Sequence, residues 1–359
     1  MKIAFISFYS GTINRGIEVY ADELATRLAK KHKVHLYQTG DPKPDVNYKI
    51  IKVPMKIDWD NKDMIGTFTR RILMNYWSRL VGGMAAKIFI EIIKGKYDIV
   101  IPLNGGWQTL LMRFATWISG GKMVVAGQSG IGWDDRINLY CFPDAFVALS
   151  KKALNWSRVT NSSVKSVLIP NGVDLRKFKP DGEKFKTNLK EPLVLAVGAF
   201  TEQKRLDLVI EAVARLDNVS LLLVGGGGDQ EKKLKKMGKK YVGNRLRFTQ
   251  VKHDEMPNIY RACDVFVLVS EPSEAFGIVF VEAMASGLPV VAVDDEQRRE
   301  IVGNAGLFVK NPQDSKELAN TIKNVLDKNW DDKPRERAKN YNWDDTAKSY
   351  EKLFLDISK

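Results

Sequence analysis

Only two cysteines, Cys141 and Cys263, occur in 359 residues, more than a hundred positions apart. That scarcity excludes a disulfide framework and a thiolate metal site, and it fits a reducing compartment. The opening MKIAFISFYS runs straight into a strand-like segment, without the charged head, apolar stretch and small-residue cleavage site of a secretory signal. No apolar run reaches the length needed to span a bilayer, so a cytoplasmic protein is expected. Histidine is almost as scarce: His32, His35 and His253 are the full set. Acidic residues are few in one half only. Residues 1–180 hold 27 Lys and Arg against 14 Asp and Glu, and residues 181–359 hold 29 against 29. The whole net charge of +13 therefore belongs to the N-terminal half. A one-sided cationic balance suits a polyanionic partner such as an anionic membrane, a phosphorylated lipid or nucleic acid, and a lysine-rich solvated surface would give the same balance. No recognisable nucleic-acid-binding module accompanies the charge, so nucleic acid is not expected as a partner.

What is present is the composition of a globular chain, 44% hydrophobic and 28% charged. The length suits two domains of about 170 to 180 residues each. Short β-branched runs alternate with helical patterns throughout: KIAFISF, KVHLYQ, DIVIPL, KMVVAG and AFVALS, then LVLAVG, SLLLVG, LRFTQV, DVFVLVS and PVVAV. Such alternation predicts an α/β fold with two parallel sheets wrapped by helices, and the continuous apolar runs are those of strands covered on both faces. The stretch IPNGVDLRKFKPDGEKFKTNLKEP between Pro170 and Pro192 is rich in Pro, Gly and charge, and it marks the boundary. Residues 1–172 then form an N-terminal Rossmann-like domain and residues 173–343 a C-terminal one. A last amphipathic helix over about 344–359, with Tyr350, Leu353 and Phe354 on one side, packs back on the first domain. Open α/β sheets bind ligands at the carboxyl ends of their strands, which directs attention to the strand-to-helix turns and to a cleft between the two domains.

The strongest motif is SEPSEAFGIVFVEAMASGLPVVAV, residues 270–293, directly after the strand DVFVLVS. Gly277 at a helix start lets a phosphate approach free backbone N–H groups that the helix dipole makes mildly positive. Glu282 follows Glu274 by eight residues, about two helical turns, and a carboxylate there can accept two hydrogen bonds from a ribose diol. Glu274, in the preceding loop, would face the sugar.

This segment resembles the glutamate, seven residues, glutamate signature of glycosyltransferase family 4, whose members are retaining enzymes of the GT-B architecture. The resemblance extends over nearly the whole chain. Its other landmarks are RGIEVYADELATRLAKKHKVHLY, VLIPNGVDLRKFKP, VGAFTEQKRLDLVIEAVARL and LLLVGGGGDQEKKL. Any one of them is a weak signal, and their order along the chain is specific. The resemblance implies two Rossmann-like domains facing a central cleft, with the donor held mainly by the C-terminal half. It also implies transfer of a hexose-type sugar, with retention, from a nucleotide-diphosphate sugar to an acceptor hydroxyl on a glycan or lipid-linked glycan.

Residue by residue, the resemblance places Gly16 against the donor diphosphate, although Arg15 stands where the family usually has a second glycine. Gly198 and Lys204 match the diphosphate turn, but the arginine expected after Gly198 is Ala199, and Arg205 is the cation that can take its place. Gly225, Gly226 and Gly227 pass near the nucleotide. Gln250 and Val251 match where the family holds the base through its main chain. Phe276, Gly277 and Ile278 join Glu274 and Glu282 as donor contacts. A family histidine near the sugar is replaced by Gln128 and Ser129. Gln128 can hydrogen-bond a sugar hydroxyl, while Asp134, Asp135 and Arg136 either orient an acceptor or form a structural turn with a local ion pair. Glu274, Gln128 and Lys204 are the residues expected to act on the reacting sugar.

No metal or other cofactor is implied beyond the donor itself. Asp58-Trp59-Asp60 has the spacing of a diphosphate metal clamp, yet its place in the first domain suits a solvated loop better. Two rival readings remain: a sugar-nucleotide epimerase, and a GT-B module that binds a sugar nucleotide or glycan without turnover, motivated by Ala199 and the missing histidine. The segment 64–96 adds an expectation about membranes. Ile65, Phe68, Ile72, Tyr76 and Leu80 recur at helical spacing beside Trp77, with Arg70, Arg71 and Arg79 as cations, the pattern of a peripheral interfacial helix. A helix covering one face of the first sheet would show the same stripe.

Overall fold

A computed structural model describes residues 1–13, 15–59, 61 and 74–359. The chain divides into two compact units, Met1–Asn171 with Trp343–Lys359, and Gly172–Asn342.

In the first unit seven strands form one sheet: β1 (Lys2–Ser7), β2 (Lys33–Gln38), β3 (Lys49–Lys52), β4 (Ile99–Pro102), β5 (Lys122–Ala126), β6 (Ala145–Ala148) and β7 (Ser166–Leu168), in the order β3-β2-β1-β4-β5-β6-β7. Its helices are α1 (Gly16–Leu28), α2 (Tyr76–Gly95), α3 (Trp107–Ser119), α4 (Trp133–Tyr140) and α5 (Lys151–Thr160). The second unit carries β8 (Leu193–Val197), β9 (Ser220–Val224), β10 (Leu246–Thr249), β11 (Val265–Leu268), β12 (Val290–Val293) and β13 (Gly306–Val309), in the order β10-β9-β8-β11-β12-β13. Around them lie α6 (Leu206–Ala214), α7 (Glu231–Tyr241), α8 (Met256–Arg261), α9 (Ile278–Ala285), α10 (Glu296–Val302), α11 (Ser315–Leu326) and α12 (Lys333–Ala338). Every described strand pairing in the two sheets is parallel. Helices on both faces explain why the central strands are buried throughout: Ile3 to Ile6 of β1 and Val265 to Leu268 of β11 have no exposed surface.

Each sheet reverses its winding direction once. In the first the reversal lies between β1 and β4, and in the second between β8 and β11. At such a point the two following loops diverge to opposite faces and leave a crevice outside the carboxyl ends of the strands. In the first unit Asn104 Oδ1, after β4, accepts the Phe8 N–H after β1 at 2.6 Å, which ties the two sides of that crevice together.

The last helix, α13 (Trp343–Ile357), belongs to the first unit. Trp343, Tyr350 and Phe354 are buried, and the Tyr20 hydroxyl on α1 donates to the Tyr350 hydroxyl at 2.8 Å. Arg27 Nε donates to Asp344 Oδ1 at 2.9 Å, fixing the N-terminal end of α13 to the same helix.

The apolar stripe expected over 64–96 is described only from Met74 onward, and Ile65, Phe68, Ile72, Arg70 and Arg71 lie outside the described residues. In the described part, α2 turns its stripe inward. Val81, Met84, Ala85, Ile88 and Ile92 are in the core, and Trp77 and Leu80 pack against it. No described helix is long and apolar enough to cross a membrane.

Candidate functional site

The second unit gathers its candidate residues on the loops that leave the carboxyl ends of β8, β9, β10 and β11. At the winding reversal, Lys204 from the β8 loop and Glu274 from the β11 loop form an ion pair, with both side chains largely buried. These two residues are 70 positions apart in the chain. The next residue, Arg205, sits at the N-terminus of α6 with φ +49°, and its Nη2 lies 3.7 Å from Glu271 Oε1. Both cations of the turn therefore face acids of the β11 loop.

That loop is held from several sides. Glu271 N–H donates to the Gln203 carbonyl at 2.9 Å, so the β8 and β11 loops share a backbone bond. Gln297 Nε2 on α10 donates to the carbonyls of Glu274 and Ala275, at 2.8 and 2.9 Å. The buried Arg298 donates to the Glu271 carbonyl at 2.6 Å and to Asp295 Oδ2 at 2.7 Å. Gln297 and Arg298 are positioning residues that the sequence reading missed, because nothing in EQRRE reveals which loop it will reach. Gly277 caps α9 at φ +78°, a left-handed conformation that favours glycine, and leaves the first N–H groups of the helix beside Glu274. Phe276 and Ile278 on either side are buried, and the Phe276 ring meets Tyr341 edge-on at 5.7 Å between centroids.

Glu282 points inward from α9. Its carboxylate is buried, with Oε2 accepting the Tyr260 hydroxyl at 2.8 Å and Oε1 2.8 Å from His253 Nε2. Burial, and then the Glu282 charge, hold the Tyr260 phenol well above its ordinary pKa, so it stays a donor. Each oxygen has a further lone pair beyond these contacts. The partnership with His253 was not legible beforehand, since the histidine arrives on the β10 side, 29 residues away. Gly225, Gly226 and Gly227 follow β9, and the Phe200 N–H donates to the Gly227 carbonyl at 2.9 Å. Gly198 N–H reaches the Val224 carbonyl at 3.0 Å, which joins the β8 and β9 loops. Gln250 is exposed and Val251 half-buried after β10.

In the first unit Gly16 opens α1. Arg15 before it is committed locally: Nη2 lies 3.1 Å from Glu18 Oε1, and the guanidinium stands 4.3 Å from the centre of the Tyr9 ring. Gln128 exchanges two 3.0 Å amide hydrogen bonds with the buried Asn171. Ser129 and Asp134 are exposed, while Arg136 lies over the Trp133 ring at 5.0 Å. Asp135 turns inward instead, where Asn138 Nδ2 donates to its Oδ1 at 3.1 Å. Burial pushes its carboxyl up to about 7, so a substantial fraction is protonated near neutrality. Asp58 N–H donates to the Tyr76 hydroxyl at 2.6 Å, and Asp60 lies outside the described residues. Among the described residues no three His, Cys, Asp or Glu side chains group as metal ligands would.

Residues 178–344, which make up nearly all of the second unit, match the family model for glycosyl transferases group 1. Over 396 aligned positions the chain is 28% identical to an uncharacterised glycosyltransferase of Methanocaldococcus jannaschii, covering 98% of this chain and 97% of that one. It is 30% identical to a phosphatidyl-myo-inositol mannosyltransferase of Mycolicibacterium smegmatis over 228 residues, 59% of this chain and 57% of the relative. Among solved structures, Anabaena HepE in complex with UDP and glucose superposes with a TM-score of 0.77 at 18% identity, over 99% of both chains. Two Rossmann-like units with all-parallel sheets have the GT-B fold, as that structure does. The family match over residues 178–344 and the relatives together indicate a glycosyltransferase, similar to family 4.

Proposed function

We propose that the protein transfers a hexose-type sugar, with retention, from a nucleotide-diphosphate sugar to a hydroxyl of a glycan or lipid-linked glycan. The observation that carries this reading is the Lys204–Glu274 pair at the winding reversal of the second sheet, beside the open N-terminus of α9. A diphosphate needs cations and N–H dipoles, whereas a sugar ring developing oxocarbenium character needs a carboxylate. Lys204, Arg205 and the α9 N-terminus supply the first, and Glu274 supplies the second. In the free enzyme Lys204 and Glu274 neutralise each other. Donor binding transfers Lys204 to the diphosphate and leaves Glu274 facing the sugar.

Glu282, oriented by His253 and Tyr260, takes the ribose diol, and Val251 takes the base through its main chain. Phe276 and Ile278 hold the loop, while Gly198, Gly225 and Gly227 let the nucleotide approach the backbone. In the first unit, the family resemblance assigns Gly16 and Gln128 to the donor and Ser129, Asp134 and Arg136 to the acceptor. In the reaction the bond from anomeric carbon to phosphate oxygen breaks and the bond to the acceptor oxygen forms on the same face. The acceptor proton leaves with the nucleoside diphosphate. The protein's own cations meet the leaving charge without a metal. Relatives support the acceptor class, since one is named for mannosyl transfer to phosphatidyl-myo-inositol. The basic first half fits peripheral contact with an anionic membrane face rather than nucleic acid.

The test is release of nucleoside diphosphate from a panel of UDP-, GDP- and ADP-sugars, in the presence of excess EDTA, with and without glycan and glycolipid acceptors. Release from one nucleotide series, increased by an acceptor and with an α-linked product from an α-linked donor, is the expected result. Binding without release from any donor would favour the non-catalytic sugar-nucleotide module.

A further inference from the structure

We propose that the outward face of α3 is a docking surface for an anionic lipid bilayer, which gives the membrane contact of the proposed function a definite location. The helix carries large apolar side chains on its outward side, where polar residues are expected. Trp107, Phe114, Trp117 and Ile118 are 37%, 45%, 56% and 65% exposed, and Leu110 and Leu111 between them are half-buried, packing in part against the core. The spacing places all six on one side of the helix. The side turned into the protein carries Gln108, Thr109 and Thr116 together with Met112 and Ala115, all fully buried.

Most of the buried polar groups on the inward side are hydrogen-bonded, which lowers their cost inside. Gln108 Oε1 accepts the N–H groups of Leu103 and Asn104, both at 3.0 Å, while its Nε2 has no hydrogen-bond partner among the described residues. Thr109 Oγ1 donates to Asn138 Oδ1 at 2.9 Å, and Thr116 Oγ1 to the Arg113 carbonyl at 2.9 Å. The outward aromatic face has no such explanation within the fold. Its rings are arranged: Phe114 and Trp117 meet edge-on at 5.5 Å, and the Arg113 guanidinium lies 4.8 Å from the centre of the Trp117 ring. Ile90 on α2, the helix packed against α3, adds another exposed apolar side chain.

Charge selects the occupant. Residues 74–122 contain Arg79, Lys87, Lys94, Lys96, Arg113 and Lys122 against only Glu91 and Asp98, and α3 itself has no acid; Arg113 and Lys122 pair with Asp144, which leaves the exposed Arg79, Lys87, Lys94 and Lys96 as the surface cations. A second copy of the chain would bring one basic half against another. An anionic bilayer supplies the opposite charge together with an interface into which tryptophan and phenylalanine partition. The face also begins at Trp107, immediately after the loop that leaves the carboxyl end of β4, so a docked bilayer would lie beside the edge of the first sheet that carries its ligand-facing loops.

The experiment compares the full chain with Phe114→Gln/Trp117→Gln/Ile118→Gln in sedimentation with vesicles. One set is phosphatidylcholine with about one-third phosphatidylglycerol, and the other is pure phosphatidylcholine. The parent should partition onto the anionic vesicles, less so as salt rises, and the triple variant should lose that partition by about tenfold or more. Circular dichroism melting and the thermal shift given by nucleoside diphosphates check that the variant is folded, and Ile118→Gln alone provides a milder probe that should lower partition by a smaller factor. Equal sedimentation of parent and variant would overturn the proposal, as would a parent that ignores anionic vesicles at low salt. Conversion of a dimeric parent to a monomeric variant, without vesicle binding, would instead assign the face to a second copy. Vesicle binding and nucleotide release are separate readouts, so failure here leaves the glycosyltransferase reading standing, and the reverse also holds.

Discussion

Glu274→Gln should lower turnover by about 10²- to 10³-fold, the range found when one preorganised electrostatic group is removed from a transition-state site. Affinity for free nucleoside diphosphate should stay equal to that of the parent or rise. The split follows from the ion pair. In the free enzyme Glu274 competes with the incoming diphosphate for Lys204. The glutamine keeps the shape and can still hydrogen-bond, but it no longer holds the cation. Ground-state binding of the diphosphate therefore gains what the competing carboxylate withheld. The developing positive charge on the sugar loses its counter-charge, and that loss is felt only in the transition state. Steady-state kinetics with the cognate donor, together with a diphosphate titration, read both effects. A variant with parental turnover would remove Glu274 from the reaction.

Gly225→Ala is expected to destabilise the second unit by about 3 to 5 kcal/mol, combining strain at a left-handed position with overpacking. Gly225 has φ +144°, and a Cβ there would lie 1.9 Å from the Gly198 carbonyl oxygen, a backbone atom that is itself held between strand ends. Two glycines meeting back to back are what bring the β8 and β9 loops together at the proposed nucleotide site. The matched control is Gly227→Ala. That residue is also left-handed, at φ +67°, but a Cβ there would meet nothing within 4 Å, so a cost of about 1 to 2 kcal/mol is expected. Urea unfolding midpoints of the two variants separate steric exclusion from backbone strain, and similar losses would show that the contact with Gly198 yields easily.

The fold was legible because its central strands are apolar on both faces. All ten runs singled out from the sequence are strands. The three strands that were not read are KIIK, SVL and GLFV. They are short, and they lie at or next to the sheet edges, where one or both faces need not be apolar. Periodicity gave the helices but not their orientation. In α2 an apolar stripe meant core, and in α3 large apolar side chains face outward while Gln108, Thr109 and Thr116 share the inward side with Met112 and Ala115. The hydrogen bonds of Gln108 to the loop just before its helix and of Thr109 to Asn138, 29 positions away, accompany the second outcome.

For the candidate site, spacing within one segment could be read and contact between segments could not. Glu274, Gly277 and Glu282 stand in a single motif. Lys204 reaches Glu274 from another loop, His253 and Tyr260 reach Glu282 from the β10 side, and Gln297 holds the Glu274 backbone from α10. Parallel strands place residues tens of positions apart side by side, and nothing local in the sequence records it. The same holds for Asp135 and Arg136, neighbours in sequence, of which one is buried and the other lies on a tryptophan.

The central claim is that the turn at Lys204 holds the donor's diphosphate, and the most direct test is calorimetric titration of the parent and Lys204→Ala with matched nucleoside di- and monophosphates. The account predicts that the variant loses about 10- to 100-fold in affinity for the diphosphate, the value of one charge-assisted contact, while the monophosphate changes by less than about threefold. Equal losses for the two nucleotides, or no loss for either, would contradict it.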